Sequence, residues 1–128
     1  ANAAAEASHL PLMVGEWHFC GYDRGLLASG LVQAHNQQER AKAIRYYTEQ
    51  AFAHPSMVGI HYFELFDQPA LGRFDGATGQ SGLIDVCNQP YPEVDAALKE
   101  AALRIYPIAD GRLSPTEETG LLDPHRIY

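Results

Sequence analysis

The chain has 128 residues, enough for one modest domain with its own core. Its formal net charge of −7 and its lack of any basic block disfavour nucleic acid and anionic membranes as partners, while a neutral polymer such as a polysaccharide stays compatible. No apolar run approaches the roughly 18 residues of a membrane span, and no charged and apolar leader marks a signal peptide.

In chain order, Ala1 to Ser8 is Ala-rich and reads as the end of a helix, followed by a turn at His9-Leu10-Pro11. Leu12 to Glu16 is a short apolar run that ends on a carboxylate and leads through His18 into a Gly-rich loop. A buried parallel strand delivers a reactive group to a barrel mouth in this way. Strand alternation places Val14, Glu16 and His18 on one face and Met13, Gly15, Trp17 and Phe19 on the other. Glu16 and His18 are therefore expected to share a pocket; the plainer alternative is a strand-end carboxylate held by a nearby Arg. Residues 18 to 34 form a long loop with Gly21, Gly25 and Gly30, in which Asp23 and Arg24 are either a substrate clamp or a loop-fixing ion pair.

A helix is expected from about Gln37 to Ala53, with Asn36 as N-cap and Glu39 three residues on in a capping-box arrangement. Ala41, Ile44, Tyr47 and Ala51 supply its apolar face, Tyr46 and Tyr47 pack in core and rim, and His54-Pro55 ends it. Met57 to Glu64 reads as the next strand, covered on both faces and parallel to the first through a crossover helix. Alternation sets Ile60, Tyr62 and Glu64 on one face, with His61 on the other as a packed core histidine.

The loop from Phe66 to Ser81 offers Asp67, Gln68 and Arg73 as groups suited to hydroxyls. Asp75-Gly76 is read as a turn, since it lacks the alternating oxygen ligands of a calcium loop. Leu83 to Val86 is a short extended segment. A last helix runs from about Pro92 to Tyr106, with Val94, Ala97, Leu98, Ala101 and Ile105 buried and the pairs Asp95/Lys99 and Glu100/Arg104 outside. The tail after Gly111 is irregular and wraps the surface or frays. Cys20 and Cys87 lack paired spacing and are expected to be two separate buried thiols.

Several blocks together carry a resemblance: Gly15-Glu16-Trp17-His18-Phe19, Asp23-Arg24-Gly25, Asn36-Gln37-Gln38-Glu39-Arg40-Ala41, His61-Tyr62-Phe63-Glu64, Asp67-Gln68-Pro69 and Gly72-Arg73. From Pro11 to Tyr106 the chain resembles the C-terminal part of a β-agarase-type glycoside hydrolase of family 50, in the clan of retaining (β/α)8 glycosidases. The resemblance implies an α/β fold made of the seventh and eighth parallel strands of a TIM-type barrel with their helices, in residues 1–108, and an irregular tail in 109–128. A complete barrel needs about 250 residues, so the preceding units are expected to come from elsewhere.

The same resemblance casts Glu16 as the catalytic nucleophile. It implies that His18, Asp23, Arg24, Tyr62, Glu64, Asp67, Gln68 and Arg73 contact substrate, with Tyr62 standing where the clan usually carries a sugar-lining Trp. The clan's acid/base is a Glu after Asn, and no Asn-Glu dipeptide occurs here. Glu64 faces the mouth by alternation, so a self-contained Glu16/Glu64 pair and a simple hydrogen bond from Glu64 to sugar are both open. The implied ligand is a galactan-type oligosaccharide or polysaccharide, cleaved with no cofactor and no metal, in an extracellular or periplasmic setting. Other readings are a β-galactosidase-like member of the clan and a non-catalytic carbohydrate-binding half-barrel. Exposed strand edges would favour a homo-oligomer or a complementary N-terminal barrel fragment as partner.

Overall fold

The computed structural model describes residues 1–26, 28 and 30–121. The expectations for the tail at 122–128, and for Leu27 and Ser29 in the first loop, lie outside the described residues. Five elements follow in order: α1 (Asn2–Ser8), β1 (Leu12–Trp17), α2 (Gln37–Phe52), β2 (Met57–Tyr62) and α3 (Pro92–Ala109). The fold is mixed α/β, with β1 and β2 paired in parallel as the strand-helix-strand reading required. Among the described residues no helix is long and apolar enough to cross a membrane.

α2 begins where its capping chemistry dictates. The Asn36 side chain accepts from the Glu39 N–H at 2.9 Å, closing one of the open donors of the first turn. Glu39 in turn reaches the backbone N–H of His35 at 2.9 Å, one residue further back than the usual reciprocal partner. α3 runs three residues beyond Tyr106, through Pro107, because only one ladder donor is lost so near the helix end.

α2 packs on one face of the sheet, and α3 packs against α2. Trp17, Phe19, Ala41, Ala43, Ile44, Tyr91 and Val94 form the buried core, with Val14, Ile60, Tyr62, Ala97 and Leu98 packed against it. Trp17 stacks on Tyr47 at a centroid distance of 4.5 Å and meets Tyr62 edge-on at 4.9 Å. The opposite face is open: Met13 and His61 are exposed. β2 is therefore covered on one side only, and His61 is a surface residue, not the packed core histidine expected.

The helices cover the Ile60 and Tyr62 face of β2 rather than that of His61, and β1 departs from regular alternation through its register. Val14 pairs with Ile60 and Trp17 with Tyr62, so β1 carries one more residue than β2 between these rungs. Such a bulge at Gly15-Glu16 exchanges the faces of the strand beyond it. Val14 and Trp17 thus both face the helices, which corrects the alternation that set Val14 with Glu16 and opposed both to Trp17.

Two buried charges organise the helical layer. Arg40 is fully buried and donates to groups on both loops that follow the strands. Glu49, also fully buried, accepts from Arg45 at 2.8 Å, from Arg104 at 2.9 Å and from the Thr116 N–H at 2.8 Å, joining α2, α3 and the tail. Arg104 therefore pairs with Glu49 and not with Glu100, which binds Arg45 at 2.7 Å instead. Asp95 and Lys99 do pair along α3, at 2.7 Å. The described tail wraps along α2, where Lys42 bonds Glu118 and Leu121 packs on the core. Cys20 is buried, but Cys87 is exposed, which corrects the expectation of two buried thiols.

Candidate active site

The bulge that redirects β1 also decides what Glu16 does. Its carboxylate is exposed and makes no hydrogen bond or ion pair with any described residue, so no arginine holds it. Gly15 before it has open space where a Cβ would stand, consistent with a strand free to swell outward there. Beyond the last rung the Phe63 N–H donates to Trp17 O at 2.9 Å, keeping the two strand ends together. This brings the His18 ring within 5.9 Å of the Phe63 ring.

His18 is half-buried, and its Nδ1 has no hydrogen-bond partner among the described residues. Burial lowers its pKa below the ordinary 6.5, and the carboxylates of Glu16 and Glu64 oppose that without overcoming it. His18 is thus a neutral imidazole between two acidic groups over most of the physiological range. Glu64 is partly buried, with Oε1 unpaired by any hydrogen bond and 4.0 Å from Arg73 Nη1. Arg73 lies over the rings of Phe63, at 5.4 Å, and Phe74, at 5.6 Å, and bonds Asp75 at 3.2 Å. Glu16, His18, Glu64 and Arg73 thereby gather at one end of the sheet with unused hydrogen-bonding capacity. Glu16 and His18 also edge a cleft of about 480 Å³ whose walls include Val14, Trp17, Val32 and Tyr47.

The other expected substrate contacts are engaged within the protein. Asp23 accepts from the Gln37 N–H at 3.3 Å and from Gln37 Nε2 at 3.2 Å. Arg24 bridges Asp23 and Glu93, at 3.6 and 3.1 Å. Tyr62 lies between sheet and helices, its hydroxyl donating to Ser81 O at 2.8 Å and accepting from Arg40 at 2.9 Å, so its ring is not a platform on the open face. Asp67 accepts from the Gly82 N–H at 2.8 Å and from the Tyr91 hydroxyl; burial raises its pKa, opposed by these two donors. Gln68 accepts from the Gly79 N–H at 2.6 Å. These five hold the loops that carry the open group.

Asp75-Gly76 is a turn, with Gly76 at φ 83° and the Ala77 N–H bonded to the Asp75 side chain at 3.2 Å. Sequence reasoning missed Phe63 beneath Arg73, and Gln80, which is buried and accepts from Gln37 at 3.2 Å. Gln80 carries no sequence signal, but Phe63 lies beside Glu64 and could have been found as an aromatic flanking a strand-end carboxylate.

No family model matches the chain. Over 91 residues, 70% of its length, the chain is 40% identical to Beta-agarase B of Vibrio sp. (strain JT0107). Over 102 residues, 79% of its length, it is 35% identical to Beta-agarase A of the same organism. In both cases the match covers 10% of the relative, so the chain spans about a tenth of the curated relatives it matches. Among solved structures, the agarase AgWH50C superposes with a TM-score of 0.80 at 33% identity, over 84% of this chain and 17% of that one. An exo-beta-agarase gives 0.81 at 33% identity, over 85% of this chain and 15% of that one. By both sequence and fold, the chain is related to the β-agarases of the glycoside hydrolase family 50 type.

Proposed function

We propose that the chain supplies the nucleophile-bearing part of a retaining β-agarase-like hydrolase acting on galactose-containing polysaccharide. In this reading residues 1–108 are the last two strand-helix units of a (β/α)8 barrel and 109–128 the C-terminal tail that follows them. The parallel β1-α2-β2-α3 order, with helices on one sheet face and the other face open, supports that assignment. The observation that carries the function is the isolated Glu16 carboxylate at the strand end, beside a neutral His18 and a second carboxylate, in a chain related to agarases.

Glu16 attacks the anomeric carbon, and a second carboxyl group about 5 to 5.5 Å from it protonates the leaving oxygen. A complementary N-terminal barrel portion provides that acid/base. His18, Glu64 and Arg73 bind sugar hydroxyls through their free donors and acceptors, while Asp23, Arg24, Tyr62, Asp67 and Gln68 act behind them by fixing the loops. The test is release of reducing ends from agarose and of phenol from aryl β-galactosides, by the chain alone and after mixing with that portion. Glu16→Gln is expected to lower the rate about 10⁴-fold or more, as removal of a covalent nucleophile does. A mixture that hydrolyses agarose equally well with Glu16→Gln refutes the assignment.

A further inference from the structure

The guanidinium of Arg40 is a buried cation with no carboxylate among the described residues bonded to it. Its Nε donates to Phe19 O at 2.9 Å and its Nη1 to Gln37 Oε1 at 2.9 Å. Its Nη2 donates to the Tyr62 hydroxyl at 2.9 Å, to Ser81 O at 2.6 Å and to Gly82 O. The Tyr91 ring lies beneath it, 5.2 Å from Cζ. Burying a cation is costly, and neutral oxygens return less than a carboxylate would. This arrangement is a poor way to gain stability alone.

What the acceptors share is their place in the chain. Phe19 follows His18 directly and lies three residues beyond Glu16; Tyr62 lies two residues before Glu64. Ser81 and Gly82 precede Leu83, whose N–H reaches Glu64 O at 3.3 Å and Leu65 O at 3.0 Å. One planar group therefore grips the chain just after one set of open side chains and on both sides of the other. We propose that Arg40 is a positioning residue for the reaction, fixing the Glu16-His18 strand end against the Glu64 strand end. This rests on the reading of those residues as the reacting site. A lysine cannot replace it, since one ammonium on a flexible stem cannot span Phe19 O and the Ser81-Gly82 carbonyls together.

The test compares wild type, Arg40→Lys and Tyr62→Phe by amide hydrogen exchange on the full chain and by steady-state kinetics on the chain assembled with the N-terminal portion. In Arg40→Lys, exchange at Phe63 and Leu83 is expected to quicken about tenfold while Ala101 and Arg104 in α3 hold their rates. The kcat is expected to fall about 10²-fold, as for a misplacement of roughly an ångström, with KM within about threefold. Tyr62→Phe, which removes one acceptor and serves if the lysine variant does not fold, is expected to shift both readouts the same way by less. Unchanged exchange and kcat in either folded variant overturns the proposal, and so does loosening of α3 to the same extent as Phe63 and Leu83. Full activity of Glu16→Gln would instead remove the site reading, while the exchange rates still judge the clamp.

Discussion

Replacing Glu49 by Gln tests whether the buried carboxylate, and not apolar packing alone, locks α2 to α3 and the tail. The substitution keeps shape and volume but removes the charge that accepts from Arg45, Arg104 and the Thr116 N–H. Removing one partner from a buried ion pair costs about 3 to 5 kcal/mol. Here the two arginines are only 26% and 27% exposed but can turn toward water, and the amide still accepts one bond, so about 2 to 3 kcal/mol is expected. At roughly 3 to 4 °C per kcal/mol for a domain of this size, Tm should fall by about 6 to 12 °C. Urea unfolding at pH 7 with an unchanged m-value would measure the difference. The pH dependence supplies a second arm. Burial by itself raises the Glu49 pKa, but the bonds from Arg104, Arg45 and Thr116 outweigh it and hold the value below 4.5. A depressed carboxylate contributes stability that is present above its unfolded pKa and lost as pH falls through the folded one. The gap between wild type and Glu49→Gln should therefore close below about pH 4. A gap under about 0.5 kcal/mol at pH 7, or one independent of pH, would refute the argument.

Gly82→Ala should prevent folding or cost about 3 kcal/mol or more in a melt, because a Cβ there would stand 2.1 Å from Asp67 N and 2.6 Å from Ile84 O, backbone atoms that cannot step aside. Alkylation at pH 8 should label Cys87 quickly and leave Cys20 untouched until the chain unfolds, since Cys20 is buried and burial pushes its thiol up to about 11; equal labelling in mass spectrometry would contradict this. By NMR, His18 should titrate below 6.5, and Glu16→Gln or Glu64→Gln should lower the midpoint further, because each carboxylate favours the imidazolium; a rise in either variant would show the group to be elsewhere. The sign for stability follows: a histidine depressed by burial costs stability as pH falls below 6.5, so loss of either carboxylate should steepen that decline.

The periodicity of α2, its Asn36 cap and its parallel crossover to β2 were legible because each rests on local chemistry between residues a few positions apart. The faces of β1 were not. Alternation assumes a regular ladder, and a single extra residue at Gly15-Glu16 inverts it. Gly15 was the available signal, since an isolated glycine in an apolar strand marks a bulge or a close approach. His61 differs for another reason: β2 alternates as read, but the face of Ile60 and Tyr62, not that of Gly59 and His61, meets the helices. The burial of two charges on α2 carries no such local signal: Arg40 stands one turn before Ile44 and Glu49 beside Thr48, and both are fully buried. Beside Gln37 and Arg45 on the same helix, partners distant in sequence, Phe19 and Ser81 for one, Arg104 and Thr116 for the other, make that burial tolerable.

These partners also separate the polar groups that build the chain from those left to act. Asp23, Asp67, Gln68, Arg40 and Glu49 look as reactive in the sequence as Glu16 does, but their hydrogen bonds are spent inside the protein. Among the described residues Glu16, Nδ1 of His18 and Oε1 of Glu64 have no hydrogen-bond partner, and they lie at the ends of adjacent strands. A buried polar atom without a partner is costly, and His18 Nδ1 and Glu64 Oε1 are two such atoms, as are Trp17 Nε1, Ser81 Oγ and Glu93 Oε2. A polysaccharide, with hydroxyls that both donate and accept, suits a free carboxylate, a neutral imidazole and an arginine flanked by aromatic rings. Spent bonds hold the loops still, and open bonds at their tips meet the ligand. Substitutions in the first group should therefore appear first in stability, and substitutions in the second first in binding and rate.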